Sequence, residues 1–244
     1  MLYLQRAKTG YLRHGVILTI LSLFSLVSSS QEVLNMEDHD QKTYYFGITL
    51  GLNQAYFQTH HDASFLAQDD IRVIEAMKNG GFALGLLATT RLSNRFELRF
   101  NPQLMFTERN IYYKLSQPDI DLRTEIIKKV ESVITTFPVN LKFRSDRIGN
   151  FRVYMLAGGK MDLDLASNAK ARKADDMIKI QRYDYGVEAG FGFNFYFPSF
   201  ILSPEIKVSN GLNNLHSRNE SLIYSRLLDN IQSRMIMFSI HLEG

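Results

Sequence analysis

Tyr183, Tyr185, Val187, Ala189, Phe191, Phe193 and Phe195 occupy every second position of one unbroken stretch, with Asp184, Gly186, Glu188, Gly190, Gly192 and Asn194 between them. Side chains alternate between faces only in an extended strand, so this stretch reads as a β-strand with one apolar face and one small or polar face. The pattern recurs. Ile236, Phe238, Ile240 and Leu242 alternate with Met237, Ser239, His241 and Glu243. Phe96, Leu98, Phe100, Pro102, Leu104 and Phe106 alternate with Glu97, Arg99, Asn101, Gln103 and Met105. Val133, Thr135, Phe137, Val139, Leu141 and Phe143 alternate with Thr136, Asn140, Lys142 and Arg144.

Eight such runs are predicted, at about 42–53, 80–90, 94–106, 131–144, 151–163, 180–196, 200–209 and 232–243. Long gaps (54–79, 107–130, 164–179, 210–231) alternate with short ones rich in turn residues: Leu92-Ser93, Ser145 to Asn150, and Pro198-Ser199. Strict alternation of loop length over an even number of strands is the pattern of a transmembrane β-barrel with short periplasmic turns. A soluble barrel of the lipocalin type would show the same period, so the two faces have to decide. Gly47, Gly51, Gly81, Gly85, Gly158, Gly186, Gly190 and Gly192 share the small or polar face, where a narrow barrel is crowded. The same face carries Glu97, Arg99, Lys142, Arg144, Arg152, Lys160, Asp162, Asp184, Glu188, Glu205 and Lys207, charges of both signs that can pair across strands. Aromatic residues gather at the short-turn ends as expected of a periplasmic girdle: Tyr44, Phe46, Phe96, Phe143, Phe151, Phe195, Tyr196, Phe197 and Phe200. The expected fold is an all-β, eight-stranded, antiparallel up-and-down transmembrane barrel whose interior is a filled polar core.

Ahead of the first run stand Arg6, Lys8 and Arg13, then the uncharged Val16 to Val27, then Ser28-Ser29-Ser30. This is the order of a secretory signal peptide, and the apolar run falls short of the roughly 20 residues that a membrane-spanning helix needs. The expected division is residues 1–30 as signal peptide, 31–41 as a short periplasmic leader and 42–244 as the barrel. The chain has 28 basic and 25 acidic residues, and removing those three leading cations leaves 25 of each. The apparent basicity therefore gives no reason to expect nucleic acid.

Catalytic patterns are sparse. No cysteine occurs among the 244 residues, which excludes thiolate metal sites, cysteine nucleophiles, disulfides and an N-terminal lipidated cysteine. His60-His61-Asp62 lacks an evident third metal ligand, so no metal is expected. Ser239 and His241 share a face with Glu188, but that face turns away from lipid, where a lipid hydrolase must open. The glycines from Gly186 to Gly192 lie within a strand rather than at a strand-to-helix turn, so no phosphate loop is present. No catalytic residue and no cofactor is expected; the interior charges are assigned a structural role, with Glu188 pairing with Arg152, Lys160 or Lys207. In the second long gap, Ile120, Leu122, Ile126, Ile127 and Val130 are more apolar than a bare loop requires, and predict either an extension of the following strand or a partner surface.

Thr136-Phe-Pro-Val-Asn-Leu-Lys-Phe-Arg-Ser-Asp-Arg147, followed by Asn150-Phe-Arg-Val-Tyr-Met-Leu-Ala-Gly-Gly159, resembles the outer-membrane barrels of the Bacteroidetes, and among them the PorT (SprT) family. Tyr183-Asp-Tyr-Gly-Val-Glu-Ala-Gly-Phe-Gly192 agrees with it, and the resemblance covers most of 43–243. It implies a non-enzymatic component of the type IX secretion machinery, needed for export and maturation of C-terminally sorted surface proteases and adhesins and, in gliding relatives, of motility adhesins. It also implies a place in the outer membrane with both termini periplasmic and the long loops extracellular. The implied partners are outer-membrane lipid, other secretion-machinery proteins and exported cargo. The alternatives are a small barrel serving as a surface adhesin or envelope-stabilising protein and, further off, a lipid-modifying enzyme.

Overall fold

The computed structural model describes residues 33–61, 71–116, 124–129, 131–166, 180–216 and 228–244. The predicted signal peptide and Asp62 lie outside these residues. Met1–Leu34 and Asn35–Gly244 are two separate units, and all the strands among the described residues lie in the second.

A short 3-10 helix, Glu37–Gln41, precedes twelve strands: β1 Tyr44–His61, β2 Ile71–Met77, β3 Asn79–Arg91, β4 Phe96–Phe100, β5 Gln103–Glu108, β6 Asn110–Leu115, β7 Glu125–Lys128, β8 Glu131–Arg144, β9 Phe151–Asp164, β10 Tyr183–Tyr196, β11 Ile201–Gly211 and β12 Leu228–Glu243. Nine of them form one antiparallel sheet, which closes because β1 pairs with both β12 and β3. β4 and β5 are one barrel strand in two pieces. Their pairing sets keep a single register on β8, with Phe100 opposite Val139 before the break and Gln103 opposite Thr136 after it. The break falls at Pro102 and Pro138, which have no N–H: opposite Pro138, Asn101 donates to the proline carbonyl at 3.3 Å but receives no bond in return, so the ladder thins while the register survives. Counted this way the ring has eight strands, at the predicted positions.

The ring can be walked. The pairs Tyr44–Thr90, Thr90–Leu98, Leu98–Leu141, Leu141–Ala157, Ala157–Ala189, Ala189–Val208, Val208–Ile236 and Ile236–Gln54 lead once round and return to β1 ten residues beyond the start. At about 3.3 Å rise per residue and about 4.8 Å between strands, that shear over eight strands tilts them by roughly 40° and leaves a backbone radius of about 8 Å. The stretch from Tyr44 to Gln54 then rises about 25 Å along the axis, the height of the apolar band of an outer-membrane barrel.

Outward positions on that band are apolar throughout. Ile48, Leu50, Leu52, Leu84, Leu86, Leu98, Val139, Leu141, Val187, Phe191, Val208, Ile236 and Phe238 are all exposed. A wall of this extent in water would far exceed the few hundred Å² that soluble proteins leave bare, whereas lipid covers it at no cost. Among the described residues no helix is long and apolar enough to cross a membrane. Inward positions are small or polar. At Gly158 and Gly186 a Cβ would run into the neighbouring strands' backbone, at Val139 and Asn210 respectively, so the narrow ring admits only glycine there.

The first and second long gaps are not bare loops. β1 continues to His61, well past the predicted end at 53, and β2, β6 and β7 form a separate three-stranded sheet with β6 central. Ile126 and Ile127 thus sit in a strand leading into β8, where they oppose Tyr113 and Tyr112; Ile120, Leu122 and Val130 lie outside the described residues.

If outward positions meet lipid, a cysteine at Phe191 in membrane-embedded protein should resist aqueous maleimide, while one at Asp146 in the β8–β9 turn should react readily in disrupted cells. Comparable labelling at the two would mean the strand faces are reversed.

Candidate functional site: the charged interior and its short-turn rim

The side chains that alternate inward stack in tiers along the barrel axis. At the short-turn rim lies residue 35–41 chain, where Met36 takes a left-handed conformation (φ 52°) to start the 3-10 helix. The Asp40 carboxylate meets three guanidinium groups, those of Arg152 at 2.7 Å, Arg147 at 3.4 Å and Arg144 at 3.5 Å. Burial opposes ionisation of Asp40, but the bond from Arg152 and the charges of Arg152, Arg144 and Arg147 outweigh it and hold its carboxyl below the usual range. Asn35 ties the segment down by donating from its N–H to Asn150 Oδ1 and from Nδ2 to the Tyr196 carbonyl. His39 is buried, its ring 4.5 Å from that of Tyr45 and 6.4 Å from that of Tyr196. The predicted leader is, from Asn35 on, a docked plug.

Above the plug, Glu97 takes Arg144 at 3.1 Å and Lys142 at 3.4 Å and accepts from Tyr45 Oη at 2.8 Å. In the next tier Arg99 bridges Glu205 (2.9 Å) and Glu243 (3.0 Å), and Tyr154 Oη also donates to Glu205. Higher still, Glu188 bonds Lys207 at 2.9 Å and accepts from Asn140 Nδ2 at 2.6 Å. Of the three partners predicted for Glu188, Lys207 is the one it meets. Lys160 pairs with Asp162 and Asp184 accepts from Ser233. At the long-loop end Arg109 pairs with Asp164 at 3.1 Å and lies 4.6 Å over the Phe57 ring. An apolar cap of Phe57, Ile74, Ile111, Tyr113, Ile180, Leu215 and Ile231 closes that end, recruiting residues from β2 and β6.

Glu97, Arg99, Lys142, Arg144, Arg152, Lys160, Asp184, Glu188, Glu205 and Lys207 are therefore all buried inside the ring. Counting every buried charged residue described gives seven cations (Arg99, Arg109, Arg144, Arg152, Lys142, Lys160, Lys207) and seven carboxylates (Glu97, Asp162, Asp164, Asp184, Glu188, Glu205, Glu243). Such parity is what a low-dielectric core demands, because an unpaired buried charge costs several kcal/mol. A cavity between Met105, Glu188, Lys207 and Met235 offers about 10 Å³, room for a single water. The interior is thus a packed core at this level.

Of the aromatic residues expected at the rim, Tyr44, Phe46, Phe96, Phe143, Phe195, Phe197 and Phe200 are exposed on the outer wall and Phe151 is partly exposed, stacking on Phe193 and tilted against Phe195. Tyr196 does not belong with them. Adjacent strand positions face opposite ways, and with Phe195 outward Tyr196 turns in, where Arg147 lies 3.8 Å over its ring and Arg152 donates to its hydroxyl.

Ser239, His241 and Glu188 do not assemble into a catalytic set. His241 bonds Thr49 through Nδ1 and faces Glu205 through Nε2, while Glu188 is committed to Lys207 and Asn140. Among the described residues no group of three or more His, Asp or Glu is placed to hold a metal. Side chains of the His60-His61-Asp62 motif lie outside the described part.

Sequence reasoning missed the Asp40 plug, because an acidic, Asx-rich segment reads as solvated leader. One signal was present: Arg144, Arg147 and Arg152 cluster about a single short turn without a nearby acid besides Asp146, which pairs with Arg95.

A family profile described as "Outer membrane protein beta-barrel domain" matches residues 30–217, and the chain belongs to that family. No curated protein matches it significantly. Among solved structures it is similar to the outer membrane protein OprG from Pseudomonas aeruginosa (13% identity over 83% of this chain and 95% of that one, TM-score 0.46). It is also similar to Neisserial surface protein A (11%, 82% and 96%, 0.43) and to Ail, the attachment invasion locus protein of Yersinia pestis (12%, 83% and 100%, 0.38). The protein is an outer-membrane β-barrel.

Two outcomes test the tiers. Glu188→Ala strands Lys207, and breaking a buried pair from one side typically costs about 3–5 kcal/mol; the temperature at which the heat-modifiable gel band is lost should drop clearly, and less so for the double change with Lys207→Met. Burial holds the His39 imidazole neutral and pushes its pKa down to about 4 from 6.5. A depressed histidine favours the docked plug fully above pH 6.5 and progressively less as pH falls toward 4. Hydrogen exchange at the plug amides, corrected for intrinsic rate, should accelerate across that window in the native protein and not in His39→Phe.

Proposed function

We propose that this barrel is a non-enzymatic component of the type IX secretion machinery, required for export and maturation of C-terminally sorted surface proteases and adhesins. The observation that carries it is the β8–β9 hairpin, whose residues Thr136 to Gly159 bear the resemblance to PorT-type barrels. The resemblance and the packing meet at the same residues: Arg147, Asn150 and Arg152 of that hairpin are the ones that grip the plug. A rim built this way suits a protein that works through contacts at its short-turn end rather than through a lumen.

In this reading residues 1–30 are a signal peptide, both termini and the short turns are periplasmic, and the long loops face outside. The outer-wall aromatic residues Tyr44, Phe96, Phe143, Phe151, Phe195, Phe197 and Phe200 form the periplasmic girdle, and the interior charges serve stability alone. Partners are outer-membrane lipid, other secretion proteins and exported cargo.

A second reading, a small barrel acting as an adhesin or stabilising the envelope, draws support from the β2–β6–β7 sheet, which is separate from the ring and exposes Met77 and Ile127. A deletion strain separates the two. Loss of mature, C-terminally sorted cargo from the cell surface, restored by the intact gene, is the expected result; normal secretion with altered adhesion or detergent sensitivity would favour the second reading.

A further inference from the structure

On β1 the outward side chains run Tyr44, Phe46, Ile48, Leu50 and Leu52, and then change character at Gln54 and Tyr56. Gln54 marks the top of the apolar band, so Tyr56 stands at headgroup level. Arg234 of β12 lies directly across from Tyr56 and Gln232 lies across from Gln58. On the other side, the Lys78 ammonium sits 5.3 Å from the centre of the Tyr56 ring. Directly opposed residues of an antiparallel pair hold their Cβ atoms about 4.5–5.5 Å apart, so the two cations flank one phenol.

Both cations are exposed, and neither is ion-paired to a carboxylate among the described residues. Glu108, the acid on the strand next to β3, is bonded by Asn110 at 2.6 Å instead. The contrast with the other rim is direct: there the exposed Arg95 is matched by Asp146 at 2.9 Å. Inside the ring charge is balanced, seven against seven. Lys78 and Arg234 are thus cations on the outer wall without a carboxylate partner among the described residues, at the depth where lipid phosphates lie, with phenol and amide donors between and beside them. Cations near an anionic membrane surface each add attraction there, and a phenol is well placed at such an interface.

The geometry points to a binding site on the outer wall, formed by Lys78, Tyr56 and Arg234, for the phosphate of an anionic lipid headgroup. This rests on the barrel spanning a membrane and not on the secretion role, so either can fail without the other.

Native mass spectrometry of the folded barrel released from micelles holding equal phosphatidic acid and phosphatidylcholine tests it. The native protein should retain phosphatidic acid with roughly tenfold or greater preference. Lys78→Gln combined with Arg234→Gln should abolish the preference while heat-modifiable migration is kept, and each single change should reduce it. Arg182→Gln, another exposed cation, should leave it intact. Added inorganic phosphate should not displace the lipid. Equal preference in native and double-variant protein would overturn the site, and full displacement by inorganic phosphate would make its ligand a free anion rather than a lipid.

Discussion

Everything in this barrel follows from the narrowness of its ring. Eight strands at the observed shear enclose a space about 8 Å in backbone radius, too small for a water column and too large to leave empty. Lipid outside claims the apolar residues, so the space must be filled by what is left, which is polar and charged. A charged core survives only if it neutralises itself. The seven-to-seven balance and the tiered pairs Arg99–Glu205–Glu243 and Lys207–Glu188 meet that requirement. Where two strands must approach most closely, Gly158 and Gly186 give up their side chains altogether.

The two ends are closed by different physics. At the short-turn end the closure is electrostatic: Asp40 enters a cluster of three arginines, with Arg147 stacked on Tyr196 and His39 kept neutral against Tyr45. At the long-loop end it is apolar, a cluster drawn from β1, β2, β6 and β12 together with Ile180 and Leu215. An electrostatic closure responds to pH and an apolar one does not, so the two ends are unequal in what can loosen them. The plug is gripped by Arg147, Asn150 and Arg152 of the β8–β9 hairpin.

Much of this was legible in the chain alone. Period-two alternation is a local property, and the alternating long and short gaps give strand count and the up-and-down order without tertiary information. The inward set was legible for the same reason: once Phe191 is placed outward, Glu188 and its kin have no other direction. Tyr196 shows the limit of counting aromatics by region rather than by parity, since one step from Phe195 reverses its face.

What the sequence by itself determined, then, is the strand pattern of the ring, the lipid-facing wall and the membership of the polar core, because each depends on one strand's own alternation, whereas β2, β6 and β7 fall in stretches read as long gaps. Which charge meets which was settled only in the closed ring. Partners such as Arg99 and Glu243, or Asp40 and Arg152, are separated by more than a hundred residues and brought together by shear and closure, which no local pattern encodes. The same holds for the split of one strand into β4 and β5, where Pro138 falls opposite Asn101 and Pro102 opposite Phe137 only because two distant strands share a register.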